Sequence, residues 1–363
     1  MSYRVYDNGV LNAGAGAPYQ AWSHWRDDPS PLGAVAAAVL AANPHNTQPW
    51  SFHVTASRID VFSDPARRMP HMDPLSREHQ IGLGCALENL TLALGARGYR
   101  PDISLLPARS DPTHIASVGL TATARTSLPQ YDAIGSRHSD RGPFTGARVP
   151  TATLAALGDL AADLPGVDLR WVTSPEEMST MNGLLIESAE AIVADQEQSI
   201  EGFAWFRNNR DSIEKYRDGL TLDGQGLSPL TLSLAKLLPA SSRAAGDQFW
   251  LTQTRTVHTA TAAAYGVVTV ADPGDPRTRL NGGRLTQRIH LAATIDQLSL
   301  QYMNQITERV DRDRATAKPD TFEARFDRLI DRQGRHGLVT FRLGYPQRPP
   351  RKSPRRSLQA IIR

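Results

Sequence analysis

Two stretches of this chain follow the same order of small and apolar residues, and that duplication constrains the fold more than any other feature. An offset of 199 positions puts Gly84 on Gly283, Leu90 on Ile289, Leu92 on Leu291 and Ala93 on Ala292. Both stretches read as helices buried on most sides, because apolar positions surround the glycines. Self-similarity at a long offset is how a duplicated supersecondary unit shows itself in sequence. Two unrelated buried helices under the same packing rule would give the same matches, so the repeat alone leaves both readings open.

The surrounding grammar repeats as well. Ser30 as N-cap and Pro31 at the first helical position predict a short helix that stops at Asn43-Pro44. Alternation predicts strands at 51–55 and 59–63, a buried helix from about Glu78 to Ala96, and strands at 102–106 and 116–122. Later come a strand at 168–172, a helix at 176–195, a strand at 265–270, a long helix at 279–308 and a last strand at 337–343. Strands mixed with long helices give a layered α/β or α+β architecture.

The expected division is an N-terminal arm at 1–30 carrying Tyr19, Trp22 and Trp25, a first half at 31–135, a second half at 136–345, and a basic C-terminal arm at 346–363. Residues 197–250 break the pattern with Phe203, Trp205, Phe206 and Trp250, and read as a lid-like insertion.

Composition narrows the function classes. A chain of 363 residues at 40% hydrophobic has ample material for a core, and a net charge of +3 makes no demand for a nucleic-acid partner. One cysteine, Cys85, allows no intrachain disulfide and no thiolate metal site. No secretory leader pattern and no run of 18 apolar residues is visible, so the expected setting is cytoplasmic, without membrane contact.

Three clusters could carry chemistry. The turn Asn43-Pro44-His45-Asn46-Thr47-Gln48-Pro49-Trp50 is stiffened by its prolines, and its carboxamides can match the donors and acceptors on the edge of a flat heterocycle. A capped turn whose Trp50 fills the core is the plainer alternative. Arg137-His138-Ser139-Asp140-Arg141 places two guanidiniums and a hydroxyl in one short span, suited to a phosphate, or to a solvated basic loop with Asp140 as local partner. Arg348, Arg351, Lys352, Arg355 and Arg356 follow the last strand as either a disordered basic tail or an arm that brings cations to an anion. There is no P-loop, no GxSxG elbow and no HExxH helix, and His45, His71, His79, His258 and His336 lack metal-ligand spacing.

Taken together these residues resemble the nitroreductase superfamily, and within it the fused Acg-type branch. His45-Asn46-Thr47-Gln48-Pro49-Trp50 is similar to the family's N-x-Q-P-W turn, and Arg137-His138-Ser139-x-Arg141 is similar to its R-x-S-x-R/K motif. Leu343-Gly344-Tyr345-Pro346 resembles the family's last strand and C-terminal arm. The resemblance implies an α+β, nitroreductase-like FMN fold in which two related halves are fused as an intramolecular pseudo-dimer around one FMN. It implies that Asn43, His45, Asn46 and Gln48 meet the isoalloxazine, that Arg137, His138, Ser139 and one or both of Arg355 and Arg356 hold the phosphate and ribityl chain, and that Arg141 lies near the pyrimidine edge. It further implies an oxidoreductase taking hydride from NAD(P)H to a nitroaromatic, quinone or similar small acceptor, or alternatively a protein that stores FMN beneath a lid. The chain would be a monomeric pseudo-dimer or a homo-oligomer. One departure stands out: many relatives carry Pro-Ser where this chain has Ala42-Asn43, which leaves that serine's contact to Asn43.

Overall fold

The computed structural model describes residues 13–126, 128–330 and 334–363, so the first twelve positions of the expected N-terminal arm lie outside the described residues. The first half opens with α1 (Pro31–Ala38), capped by the Ser30 hydroxyl, which accepts the Leu32 amide at 3.2 Å. Strands β1 (Trp50–Val54) and β2 (Arg58–Ser63) form a hairpin and lead into helix α2 (Arg77–Ala96). Strands β3 (Tyr99–Leu105) and β4 (His114–Ala122) complete an antiparallel sheet of order β1-β2-β4-β3.

The second half starts with α3 (Thr151–Asp159) and β5 (Val167–Val172). Four longer helices follow: α4 (Pro175–Ala194), α5 (Gln196–Ala204), α6 (Pro229–Leu237) and α7 (Arg243–Gln253). Then come β6 (Ala264–Val270), α8 (Pro276–Ile295), β7 (Ser299–Tyr302), α9 (Gln305–Ala315), α10 (Glu323–Ile330) and β8 (His336–Gly344). The antiparallel sheet runs β5-β6-β8-β7. With α2 matched to α8, each strand of one sheet has a counterpart of the same order and direction in the other. This is the α+β pseudo-dimer in one chain. The halves differ in their connections: residues 55–57 join β1 to β2, whereas 173–263 separate β5 from β6, and the expected insertion at 197–250 lies inside that longer excursion.

The repeated glycines meet each other. A Cβ on Gly84 would stand 2.2 Å from the Leu280 carbonyl oxygen and 3.0 Å from Gly283 Cα, and one on Gly283 would stand 2.1 Å from the Ile81 carbonyl oxygen. Helices α2 and α8 thus cross backbone to backbone, which small residues alone allow. Flanking the crossing, Arg284 and Arg288 reach Glu88 at 2.9 and 2.7 Å, and Gln287 donates to the Asn89 side chain at 2.8 Å.

One expected element is corrected. The helix predicted over 279–308 ends at Ile295, Gln297 takes a left-handed φ of 59°, and residues 299–302 become strand β7 before α9 begins. Pairing with β8, with Leu300 opposite Leu343, buries Leu298, Leu300 and Met303 and so overrides local helix propensity. That strand positions the site, because the Asp140 amide donates to the Leu300 carbonyl at 3.0 Å and Ser139 bridges to Leu300. At the other sheet, Ile362 bridges to Phe52 of β1, so the C-terminal arm of the second half closes on the first.

Candidate functional site

A cavity of about 710 Å³ lies between the halves. Its walls are Ala42 to His45 of the turn, Glu78, Ile81, Gly82 and Cys85 of α2, Ser139 and Arg141, and Gln301 to Gln305 with Glu308 across β7 and α9. The insertion supplies the remaining wall, including Phe203, Phe206, Phe249 and Trp250. Trp205 instead packs with Met69, Met72 and Ile192.

The turn is strained. His45, Asn46 and Gln48 have φ of 45°, 54° and 52°, in the left-handed region that non-glycine residues other than Asn and Asp rarely occupy. Side-chain bonds hold it there. Asn43 Oδ1 accepts the Gln48 amide at 2.7 Å, and Asn46 Nδ2 donates to the Gly219 and Pro354 carbonyls at 3.2 and 2.9 Å. Gln48 Nε2 donates to the Arg217 carbonyl at 2.9 Å, and its Oε1 accepts the Arg356 amide at 2.8 Å. The carboxamides of Asn46 and Gln48 therefore bolt the turn to the insertion and the C-terminal arm, while Asn43 and His45 line the cavity. Trp50 is fully buried in the core beneath.

The second motif divides in the same way. Ser139 and Arg141 line the cavity, and burial together with Arg141 pushes His45 down to about 4, so its ring is neutral at pH 7. Arg137 points into the interior, donating to the Leu40 carbonyl at 2.9 Å and meeting His290 Nδ1 at 3.3 Å. His138 packs edge-on against Trp22 at 4.3 Å, and burial pushes it down to about 3. From the C-terminal arm, Arg355 donates to Asn46 Oδ1 at 2.5 Å and to the Leu40 and Ala41 carbonyls at 3.4 and 3.3 Å. Arg356 reaches the Gln48 and Ala360 carbonyls at 3.5 and 2.8 Å.

Burial lowers the pKa of both Arg137 and Arg355, the charge of Arg137 lowers that of Arg355 further, and neither has a carboxylate partner among the described residues. The Nε of each is buried without a hydrogen-bond partner. Besides their carbonyl and carboxamide partners, the ring of Trp22 lies 5.8 Å from the Arg137 guanidinium carbon and 4.8 Å from that of Arg355. An anion is the missing complement to such a pair.

Spacing did not reveal the acidic wall. Glu78 and Glu308 share a hydrogen bond at the cavity, with Asp73, Asp311 and Arg77 around them. Burial, then mutual repulsion, raises Glu78 well above the usual carboxyl range, and burial pushes Glu308 up to about 7. A raised carboxyl favours the folded state at low pH and loses that contribution as pH rises from the unfolded value, about 4.3, through 7. Glu308→Gln is therefore expected to flatten the loss of stability between about pH 4.5 and 7, read from denaturation midpoints across that range. A slope identical to that of the parent protein would refute the shared proton. The only sequence signal was Glu78 in the first turn of α2 and Glu308 in the first turn of α9. Cys85 lines the cavity, but its thiol is pushed up to about 12 by burial and donates to the Gly283 carbonyl, so it packs rather than reacts. Outside the cavity, Glu323, Asp327 and His336 bring donor atoms within 4.8 Å of one another, an arrangement that the hydrogen bond between His336 and Asp327 already accounts for.

No family model matches the chain. A protein of Mycobacterium tuberculosis H37Rv provisionally named an NAD(P)H nitroreductase is 28% identical over 185 residues, which is 50% of this chain and 53% of that protein. The acg protein of the same organism, also provisionally named an NAD(P)H nitroreductase, is 31% identical over 114 residues, 31% of this chain and 34% of its own length. The match thus spans about half the length of these curated relatives, or less. A solved structure from Anabaena variabilis, provisionally described as a nitroreductase, aligns with 80% of this chain and 69% of its own at 13% identity and a TM-score of 0.45. A nitroreductase with bound FMN from Desulfitobacterium hafniense aligns with 66% of this chain and 98% of its own at 16% identity and a TM-score of 0.38. In sequence, then, this chain is similar over half its length or less to two mycobacterial proteins of nitroreductase type, the acg protein among them.

Proposed function

We propose that this protein is an FMN-dependent oxidoreductase that carries hydride from NAD(P)H to a small acceptor of nitroaromatic or quinone type. The observation that carries the reading is the convergence of Asn43 and His45 from one half with Ser139 and Arg141 from the other on a single cavity of about 710 Å³. Cofactor pockets fall in that size range. Asn43, His45, Ser139 and Arg141 line the cavity and would hold the ribityl chain and ring, whereas Arg137 and Arg355, a buried pair without a carboxylate partner, lie behind its lining and would hold the phosphate only if it passed beyond that wall.

When bound, FMN would supply the two-electron hydride chemistry. The chain's own part is positioning and electrostatics. Arg141, at the cavity wall, favours negative charge beside it, and with His45 neutral that stabilisation comes from Arg141 alone of the two. Glu78 and Glu308 hold a proton between their carboxyl groups at the opposite wall.

A second reading is favoured by the wall that Phe203, Phe206, Phe249 and Trp250 form: the insertion retains FMN and excludes nicotinamide. An absorbance spectrum followed by anaerobic NADPH and NADH separates the two. Rapid bleaching of a yellow protein supports the reductase, persistent colour supports retention, and a protein that takes up no FMN overturns both. Arg137→Ala is expected to weaken FMN binding by about 1.5 to 3 kcal/mol, as for a charge-assisted hydrogen bond. Unchanged affinity by fluorescence titration would remove Arg137 from the phosphate site.

A further inference from the structure

Arg141 faces two cavities. Ser139, Arg141 and Leu227 also line a second one of about 410 Å³, beside the first. Its other walls are the turn at 224–226 of the insertion and residues 348–351 of the C-terminal arm. The floor is rigid, because a Cβ on Gly226, at φ 69°, would fall 2.2 Å from the Gly142 nitrogen, so the two turns touch backbone to backbone.

The charges in this cavity are unbalanced. Asp223 is bound by Lys236 at 2.5 Å. Asp140 Oδ1 accepts the Gly142 amide at 2.8 Å, and burial raises its carboxyl above the usual range. On the opposite side, Arg348 donates to the Gly226 carbonyl at 3.3 Å, neither Arg348 nor Arg351 forms an ion pair among the described residues, and Arg141 feels the charge of Asp140 without a direct ion pair to it. Three guanidiniums from two segments thus border one cavity, with forked donors of the kind that receive phosphate oxygens. This cavity is separate from the buried Arg137 and Arg355 pair, neither of which lines it. Its shared wall with the larger cavity would let one ligand place a ring in the first and its phosphates in the second.

We infer that the second cavity receives the phosphate-bearing adenylate end of the dinucleotide donor, with Arg348 and Arg351 as the binding cations and a preference for the 2′-phosphate of NADPH. The inference rests on the reductase reading, and names the donor that reading leaves open.

The probe is 2′,5′-ADP, titrated calorimetrically into the full-length, FMN-loaded protein, with 5′-AMP and inorganic phosphate as comparison ligands. Saturable binding of 2′,5′-ADP, tighter than that of either comparison ligand and weakened at least tenfold in the double variant Arg348→Ala/Arg351→Ala, is the expected result. Flavin content should be the same in both proteins. In steady state the double variant should raise KM for NADPH more than KM for NADH, with kcat nearly unchanged. Equal affinity for inorganic phosphate and 2′,5′-ADP would overturn the dinucleotide assignment, as would binding that is absent or indifferent to the substitutions. Loss of FMN uptake by the unaltered chain would instead sink the reductase reading itself, so the two failures are told apart.

Discussion

Arg77→Ala is expected to cost about 3 to 5 kcal/mol of folding stability, the range for breaking a buried ion pair from one side. Arg77 Nε and Nη2 grip the two oxygens of Asp311 at 2.7 and 2.5 Å, and Nη1 donates to the Gly337 carbonyl at 2.9 Å. Both side chains are almost fully buried, at 2% and 1% exposure, so no water can replace the lost donors. Removing the guanidinium leaves Asp311 facing Asp73, Glu78 and Glu308 in an acidic interior. The melting temperature should fall by roughly 10 °C or more. Because most of that penalty comes from the stranded carboxylate, the double variant Arg77→Met/Asp311→Leu should recover much of it. A single variant within 1 kcal/mol of the parent in chemical denaturation would show that the pair is dispensable.

Gly84→Val should be the next most damaging change, costing about 3 kcal/mol. The obstacle is backbone, the Leu280 carbonyl and Gly283 Cα, and neither can swing aside as a side chain would. The α2 and α8 axes would have to separate, opening voids along the seam between the halves. Gly183→Ala is the matched control: that glycine sits within α4, its Cβ would meet only a Glu187 oxygen at 3.9 Å, and relief of glycine's helix penalty should stabilise by about 0.5 to 1 kcal/mol. Similar denaturation midpoints for the two variants would mean that the crossing tolerates a side chain.

The sequence made the seam visible for a physical reason. A helix crossing at backbone distance admits only glycine, and duplication wrote that requirement twice. Strand β3 was legible because it alternates between half-buried and exposed residues, and β6 and β8 because each is a nearly unbroken buried run. Strand β7 was not, since its hydrogen bonds come entirely from β8 and from Asp140, and nothing local distinguishes residues 299–302 from a continuing helix. The turn residues were recognisable by type, yet the partners of Asn46 and Gln48 come from residues 217–219 and 354–356, which no local pattern connects. Glu78 and Glu308 lie far apart in the chain, and only the packing of α2 against the start of α9 brings their carboxyl groups together.

The clamp on the turn also has a timetable. Asn46 is made 309 residues before Arg355, the side chain that grips it. At about 5 to 20 residues per second the ribosome needs roughly 15 to 60 s to cover that distance. Throughout that interval the left-handed backbone at His45, Asn46 and Gln48 lacks its partners in the C-terminal arm, and until residues 217–219 emerge it lacks those in the insertion as well. The nascent first half can build its sheet, but the binding turn stays unset until residues 354–356 have been made and thread back across β1.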